Sequence, residues 1–237
     1  MHPDEAEFSN AWEAVAEVPG WLKEGQARLL FDQARALGPG SRVLEIGSHQ
    51  GRSTIVLAKA LAPAGGTVIA VDPFVEGKLF GGTPTRTKFE THVADAGVAD
   101  RVDLRADYST ALRPTWDEPF DMLYIDGKHD YWTLSDDLRW AKHLPPGGAI
   151  VIHDCFSSIG VTLGILAHVL FSKEIRYDAR SDSQALFFKE APSFRDRLRI
   201  LGELPWWIRN VFVKVLLRLR LRPVARLFGH DSPYDPY

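Results

Sequence analysis

The segment Glu45-Ile46-Gly47-Ser48-His49-Gln50-Gly51 constrains the fold of this chain more than any other. It follows an apolar run, Arg42 to Ile46, that reads as a strand, and it precedes Arg52 to Leu61, which reads as a helix. Glycine at both ends of the turn lets the backbone bend sharply and approach a ligand. The helix opening at Arg52-Ser53-Thr54 offers its unpaired amides to an anionic group. The spacing is not the dinucleotide pattern GxGxxG, because Gly47 and Gly51 are its only glycines. A strand–turn–helix unit of this kind needs parallel neighbours, and the rest of the chain supplies them.

After this unit the rhythm of short apolar strand, turn and helix continues. Strands are expected at Thr67 to Asp72, Arg101 to Ala106, Phe120 to Asp126 and Ala149 to Asp154. A pair, Glu174 to Asp178 and Gln184 to Lys189, closes the series, joined by Ala179 to Ser183. Helices are expected at Trp21 to Leu37, Thr85 to Ala96, Tyr131 to His143 and Val161 to Phe171. Pro73 to Pro84, with three glycines and little periodicity, reads as a mobile surface loop. Alternation at this spacing predicts an α/β, doubly wound, Rossmann-like fold. Its sheet has seven strands, mostly parallel, with an antiparallel edge strand. Residues 1–190 form this domain, and residues 191–237 form a helical C-terminal extension.

Composition narrows the classes of function. A net charge of −3 argues against a dedicated nucleic-acid binder. One cysteine, Cys155, excludes a disulfide framework and fits the cytoplasm. No apolar run reaches the roughly 18 residues that cross a bilayer, and the acidic first residues do not read as a signal peptide. The balance shifts in Ser193 to Phe228, where nine basic residues face two acidic ones, a net of +7. The remainder therefore carries −3 − 7 = −10. Trp206, Trp207, Phe212 and Leu216 interleave there with Arg209, Lys214, Arg218 and Arg220. Three readings stay open: a helix docked on the core or on a second subunit of a homodimer, a peripheral membrane contact, and a contact with nucleic acid.

Carboxylates end the strands where a ligand would lie. Asp72 ends the second strand, 21 residues past Gly51, where both ribose hydroxyls of a nucleoside can be accepted. Asp107 and Tyr108 follow the third strand, where an adenine could lie. An ExGxxxG turn, a strand-ending acid and an acid after the third strand, in that order, resemble the class I S-adenosylmethionine-dependent methyltransferases over Val43 to Lys189. The resemblance implies S-adenosylmethionine as cofactor, with Glu45, Gly47 and Ser48 near its methionine moiety, Asp72 on the ribose, and Asp107 with Tyr108 on the adenine. Gly51, Ser53 and Asp126 complete the implied cofactor set. A nucleotide-dependent dehydrogenase or an inactive scaffold is the alternative.

The reaction centre is expected beside that pocket. Asp126 and Asp154 end strands four and five, about 4.8 Å apart if the strands are neighbours. Two carboxylates that close repel unless protonated or joined by a cation, and oxygen ligands suit Mg2+ or Mn2+. Ordinary strand-end acids capping loops are the simpler alternative. The pattern Asp126-Gly127-Lys128-His129-Asp130-Tyr131, with His153-Asp154 after it, resembles the metal-dependent macrocin and mycinamicin type of sugar O-methyltransferase. That resemblance implies Asp126 and Asp154 as metal ligands and His129 as base. The acceptor is then a small molecule or oligosaccharide, of which the mycobacterial methylmannose polysaccharides are one kind. Cys155 stands where catechol-type relatives carry another ligand, which leaves Glu76 as a third candidate. His153 is expected to be buried beside the site, and Asp130, Asp136 and Asp137 to be helix-start or solvated charges. Two rivals use other chemistry: a hydroxylase with an iron site built from His129, His153 and a carboxylate, and a non-enzymatic membrane-associated binding subunit.

Overall fold

A computed structural model describes residues 3–77 and 81–231. Its centre is a seven-stranded sheet: β1 Arg42–Ile46, β2 Thr67–Val71, β3 Val102–Arg105, β4 Met122–Ile125, β5 Ala149–Ile152, β6 Arg176–Ser181 and β7 Gln184–Phe188. The order is β3-β2-β1-β4-β5-β7-β6, parallel except for β7, which runs antiparallel between β5 and β6. This is the doubly wound arrangement anticipated from the alternation. Three details differ. The β6–β7 turn falls at Asp182 and Ser183, later than expected, because β6 takes up a bulge at Tyr177 and Ala179 and continues to Ser181. Asp182, at φ 50°, supplies the left-handed residue that a tight hairpin needs.

Ten α-helices flank the sheet among the described residues: α1 Pro3–Glu13, α2 Glu24–Arg35, α3 Arg52–Leu61, α4 Gly82–Asp95, α5 Ser109–Leu112, α6 Tyr131–Asp137, α7 Ile159–Gly164, α8 Phe194–Gly202, α9 Leu204–Arg218 and α10 Arg222–Leu227. α4 is the second departure. It starts ahead of Pro84, which sits in the first turn where its missing amide costs nothing. The supposed loop from Pro73 is therefore shorter, and its residues 78–80 lie outside the described ones. α1 is the third, a helix not anticipated although Phe8, Ala11 and Trp12 turn one face to the core. Phe8 is its anchor, edge-on to Phe31 at 5.5 Å. α6 tightens into a 3-10 turn at Leu138–His143, and α7 runs into a π turn at Ile165–Val169.

The pleat sorts the strand residues into two cores. Val43, Val68, Ala70, Met122, Tyr124 and Val151 pack against α1 to α4. Leu44, Ile69, Leu123, Ile125, Ile150 and Ile152 pack against α6, α7 and Ile200 of α8. Both faces are covered, which is why the strands read as continuous apolar runs. α8 and the start of α9 join the second core, with Trp206 and Trp207 packed against it, while Val213, Leu216 and Ala225 form a small cluster of their own between α9 and α10. Ser193 starts them with a reciprocal cap, its hydroxyl bonded to Asp196. Glu203 then ties them to β6 through Tyr177 at 2.7 Å and Arg180 at 2.6 Å. No helix among the described residues is long and apolar enough to cross a membrane.

Candidate active site

The carboxyl ends of β1, β2, β4 and β5 converge, and the turn after β1 shows why glycine stands where it does. Gly47, at φ 91°, would put a Cβ 2.2 Å from the Asp126 carbonyl oxygen. Only a bare backbone lets the ends of β1 and β4 approach so closely. Gly51, at φ 90°, closes the turn and starts α3. The Asp72 Oδ2 accepts from the amides of Ser48 and His49 at 3.1 and 2.9 Å, and Oδ1 accepts from Phe74 at 2.9 Å. Asp72 thus shapes the glycine turn while keeping lone pairs for a ligand. Glu45 is fully buried, its oxygens accepting at 2.5 Å from the hydroxyls of Ser53 and Thr54. Burial pushes its carboxyl up to about 7, against the lowering effect of those hydroxyls. Glu45 and Ser53 therefore pin the first turn of α3 to the end of β1. Asp107 and Tyr108 stand exposed after β3, with the Tyr108 amide donating to Asp107 at 2.7 Å.

Beside this corner lies a cluster of acids and imidazoles. Nδ1 of His129 is 2.8 Å from Asp154 Oδ2, and its Nε2 is 3.3 Å from Asp126 Oδ1. One ring therefore spans both strand-end carboxylates. His153 Nδ1 is 3.3 Å from an oxygen of each acid, yet it is buried and makes no hydrogen bond. Tyr124 completes the group, its hydroxyl donating to Asp126 Oδ2 at 3.0 Å. Burial works to lower the His129 pKa, but its hydrogen bonds to Asp126 and Asp154 outweigh burial and push it up to about 10. Asp154 is the mirror image: burial would raise it, and His129 and His153 hold it well below the usual carboxylate range. The two carboxylates thus favour the protonated form of the His129 ring.

Other expected residues sit differently. Glu76, the candidate third ligand, caps α4 here, accepting from the amide and hydroxyl of Thr83 at 2.7 and 2.6 Å. His153 is buried as expected, but it points into the acid pair. Asp126, His129 and His153 each offer a ligand atom within 4.8 Å of the others. Asp130 caps α6 through the Thr133 amide, and Asp136 pairs with Arg113 at 2.7 Å. Asp137 corrects its expectation. It is buried, accepts from Ser109 Oγ at 2.6 Å, and is raised to about 6 by burial. Its place on the inner side of α6 lets it tether the loop after β3.

Sequence reasoning missed the partners that come from afar. Gln26 of α2 places Oε1 3.4 Å from His153 Nε2 and donates to Ser183 Oγ at 3.1 Å. Ser183 in turn donates to Asp154 at 3.3 Å. From the C-terminal side, Asn210 donates to the Phe156 carbonyl and Lys214 to that of Ser157, at 3.2 and 3.0 Å. These bonds hold the segment after Asp154, where Asp154 and Phe156 adopt φ 58° and 57°.

Residues 44–155 match the family model described as a methyltransferase domain. Among solved structures, the cofactor-bound protein Rv0187 from MTB is 23% identical, with a TM-score of 0.60 over 81% of this chain and 91% of that one. The O-methyltransferase TomG of Streptomyces achromogenes, involved in tomaymycin synthesis and solved with S-adenosylmethionine, is 22% identical, with a TM-score of 0.57 over 78% and 90%. The methyltransferase PaMTH1 of Podospora anserina, solved with S-adenosylhomocysteine, is 15% identical, with a TM-score of 0.58 over 76% and 86%. At such identities the likeness establishes the class I methyltransferase fold.

Proposed function

We propose that this chain transfers the methyl group of S-adenosylmethionine to a hydroxyl of a sugar or glycoside, with a divalent cation at Asp126 and Asp154 and His129 as the base. Residues 1–190 carry this chemistry, in the cytoplasm, on a small-molecule or oligosaccharide acceptor. The observation that carries the reading is His129 spanning the two strand-end carboxylates beside the glycine turn. A sulfonium methyl is already activated, so the protein must align the acceptor oxygen and remove its proton. An imidazole at the rim of the cluster, 40% exposed, is placed for that removal.

The cluster fits a cation by its donors. The His153 Nδ1, buried and without a hydrogen bond, faces the same oxygens as a cation would and adds nitrogen to the acid pair. Asp126, Asp154 and His153 would hold the ion, with Mn2+ suited at least as well as Mg2+ to a set that includes imidazole. A cation held there would lower the pKa of an acceptor hydroxyl. With the carboxylate charge offset, His129 would be able to act as base. The adenosyl side rests on Asp72, Asp107 and Tyr108 around the glycine turn.

The test pairs binding with turnover. Asp126→Asn and Asp154→Asn should each lose most methyl transfer, chelation should mimic them, and Mg2+ or Mn2+ should restore the chelated protein. His129→Ala should keep cofactor affinity by calorimetry and lose about 10²- to 10⁴-fold in turnover. Its residual rate should climb with pH as solvent hydroxide replaces the base. A destabilised variant with a flat pH profile would mean that another group is the base.

One observation favours a second reading. Asp126, His129 and His153 form a two-imidazole, one-carboxylate set of the kind that holds non-haem iron. Stoichiometric iron in the purified protein, with no methyl transfer to any acceptor, would select a hydroxylase-like enzyme instead.

A further inference from the structure

The C-terminal helices bury one side and leave the other both apolar and cationic. On α9 the inward residues Asn210, Val213 and Leu216 are buried. Ile208, Phe212, Val215 and Leu219, spaced four, three and four apart, share the opposite side and are 61, 44, 47 and 62% exposed. α8 repeats the pattern with Phe194, Leu198 and Leu201, and α10 adds Leu227 and Phe228. The surfaces are continuous where Phe212 and Phe228 meet edge-on at 5.0 Å. Arg218, Arg220, Arg222 and Arg226 are exposed around this stripe and form no ion pair with the described residues.

We propose that this outer face lies in the plane of an anionic lipid surface, with the apolar stripe entering the headgroup boundary and the arginines on the phosphates. The charge decides between occupants. A second copy docking through the same face would bring Arg218, Arg220, Arg222 and Arg226 up to their own counterparts. A two-fold interface presents the same patch on both sides, so it would bring cations to both sides and supply no anions to meet them. Nucleic acid would satisfy the arginines but leave the aliphatic stripe in water. An in-plane amphipathic helix satisfies both: it is too short and too polar to span, with aromatic and aliphatic residues on one side and cations flanking them.

Sedimentation of the intact protein with vesicles tests the assignment. It should pellet with phosphatidylcholine–phosphatidylglycerol vesicles, stay in solution with pure phosphatidylcholine, and be released by salt. Replacing Arg218, Arg220 and Arg222 by Gln should lower partitioning by about 100-fold. Phe212→Ser combined with Leu219→Ser should abolish it. All five positions are exposed, so melting temperature and circular dichroism should match the wild type. If the charge variant alone stays folded, it still decides. The proposal fails if the full chain ignores anionic vesicles at low salt, or if neither variant changes its partitioning. It also fails if light scattering shows a dimer that Phe212→Ser with Leu219→Ser dissolves, or if a nucleic-acid duplex displaces the protein from the vesicles.

Discussion

Gly47 is the residue with the least freedom. Any side chain there meets the Asp126 carbonyl at a left-handed φ, so Gly47→Ala must push apart the ends of β1 and β4. We expect a loss of at least about 2–4 kcal/mol in denaturant unfolding, from overpacking plus backbone strain. Asp72→Ala removes the acceptor for the Ser48 and His49 amides as well as any contact with the cofactor. S-adenosylmethionine affinity should fall by roughly 1.5–3 kcal/mol, and calorimetry showing no change would take Asp72 out of the pocket. Asp137 gives a pH test. Its folded pKa, about 6, lies above the ordinary carboxylate value, so the folded protein holds a proton that the unfolded chain releases. Raising the pH through that window therefore favours unfolding. Asp137→Asn removes this dependence, and its stability relative to the wild type should rise by up to about 3 kcal/mol between pH 4 and 7. The same residue shows where reading stops. Asp136 and Asp137 are adjacent on a short helix, and nothing local says which of them turns inward.

At the scale of elements, the strand-end positions of Asp126 and Asp154 were legible because strand and turn signals are local. Gln26 was not, since it meets His153 across 127 positions of sequence and only the packing of α2 brings it there. α1 was legible but overlooked: Phe8, Ala11, Trp12 and Val15 follow the i, i+3, i+4, i+7 pattern of a buried helix face. α9 was visible as an amphipathic segment, but its bonds to the Phe156 and Ser157 carbonyls were not. Asn210 is fully buried, and Asn210→Ala would leave the Phe156 carbonyl without its partner. We expect a loss of about 1–3 kcal/mol in stability. Methyl transfer should fall further than the cofactor affinity does, because the segment that positions Asp154 loses a support. Equal falls in both would show that Asn210 acts on stability alone.

At the scale of the molecule, the extension after residue 190 docks on the second core through α8 and the start of α9. Ile200 is buried there and both tryptophans of α9 lean on it. Truncation before Ser193 should therefore uncover apolar surface, and light scattering should register aggregation or a changed oligomeric state. An unchanged, fully active oligomer would refute this. The grip of Asn210 and Lys214 on the segment after Asp154 also has a thermodynamic side. It makes α9 a shared body between the outer surface and the reaction centre. Suppose a surface partner binds one arrangement of that segment better than another. Cofactor or cation at the centre must then alter the affinity for that partner by the same factor that the partner alters theirs. Adsorption measured with the centre filled and empty would read this coupling without any turnover.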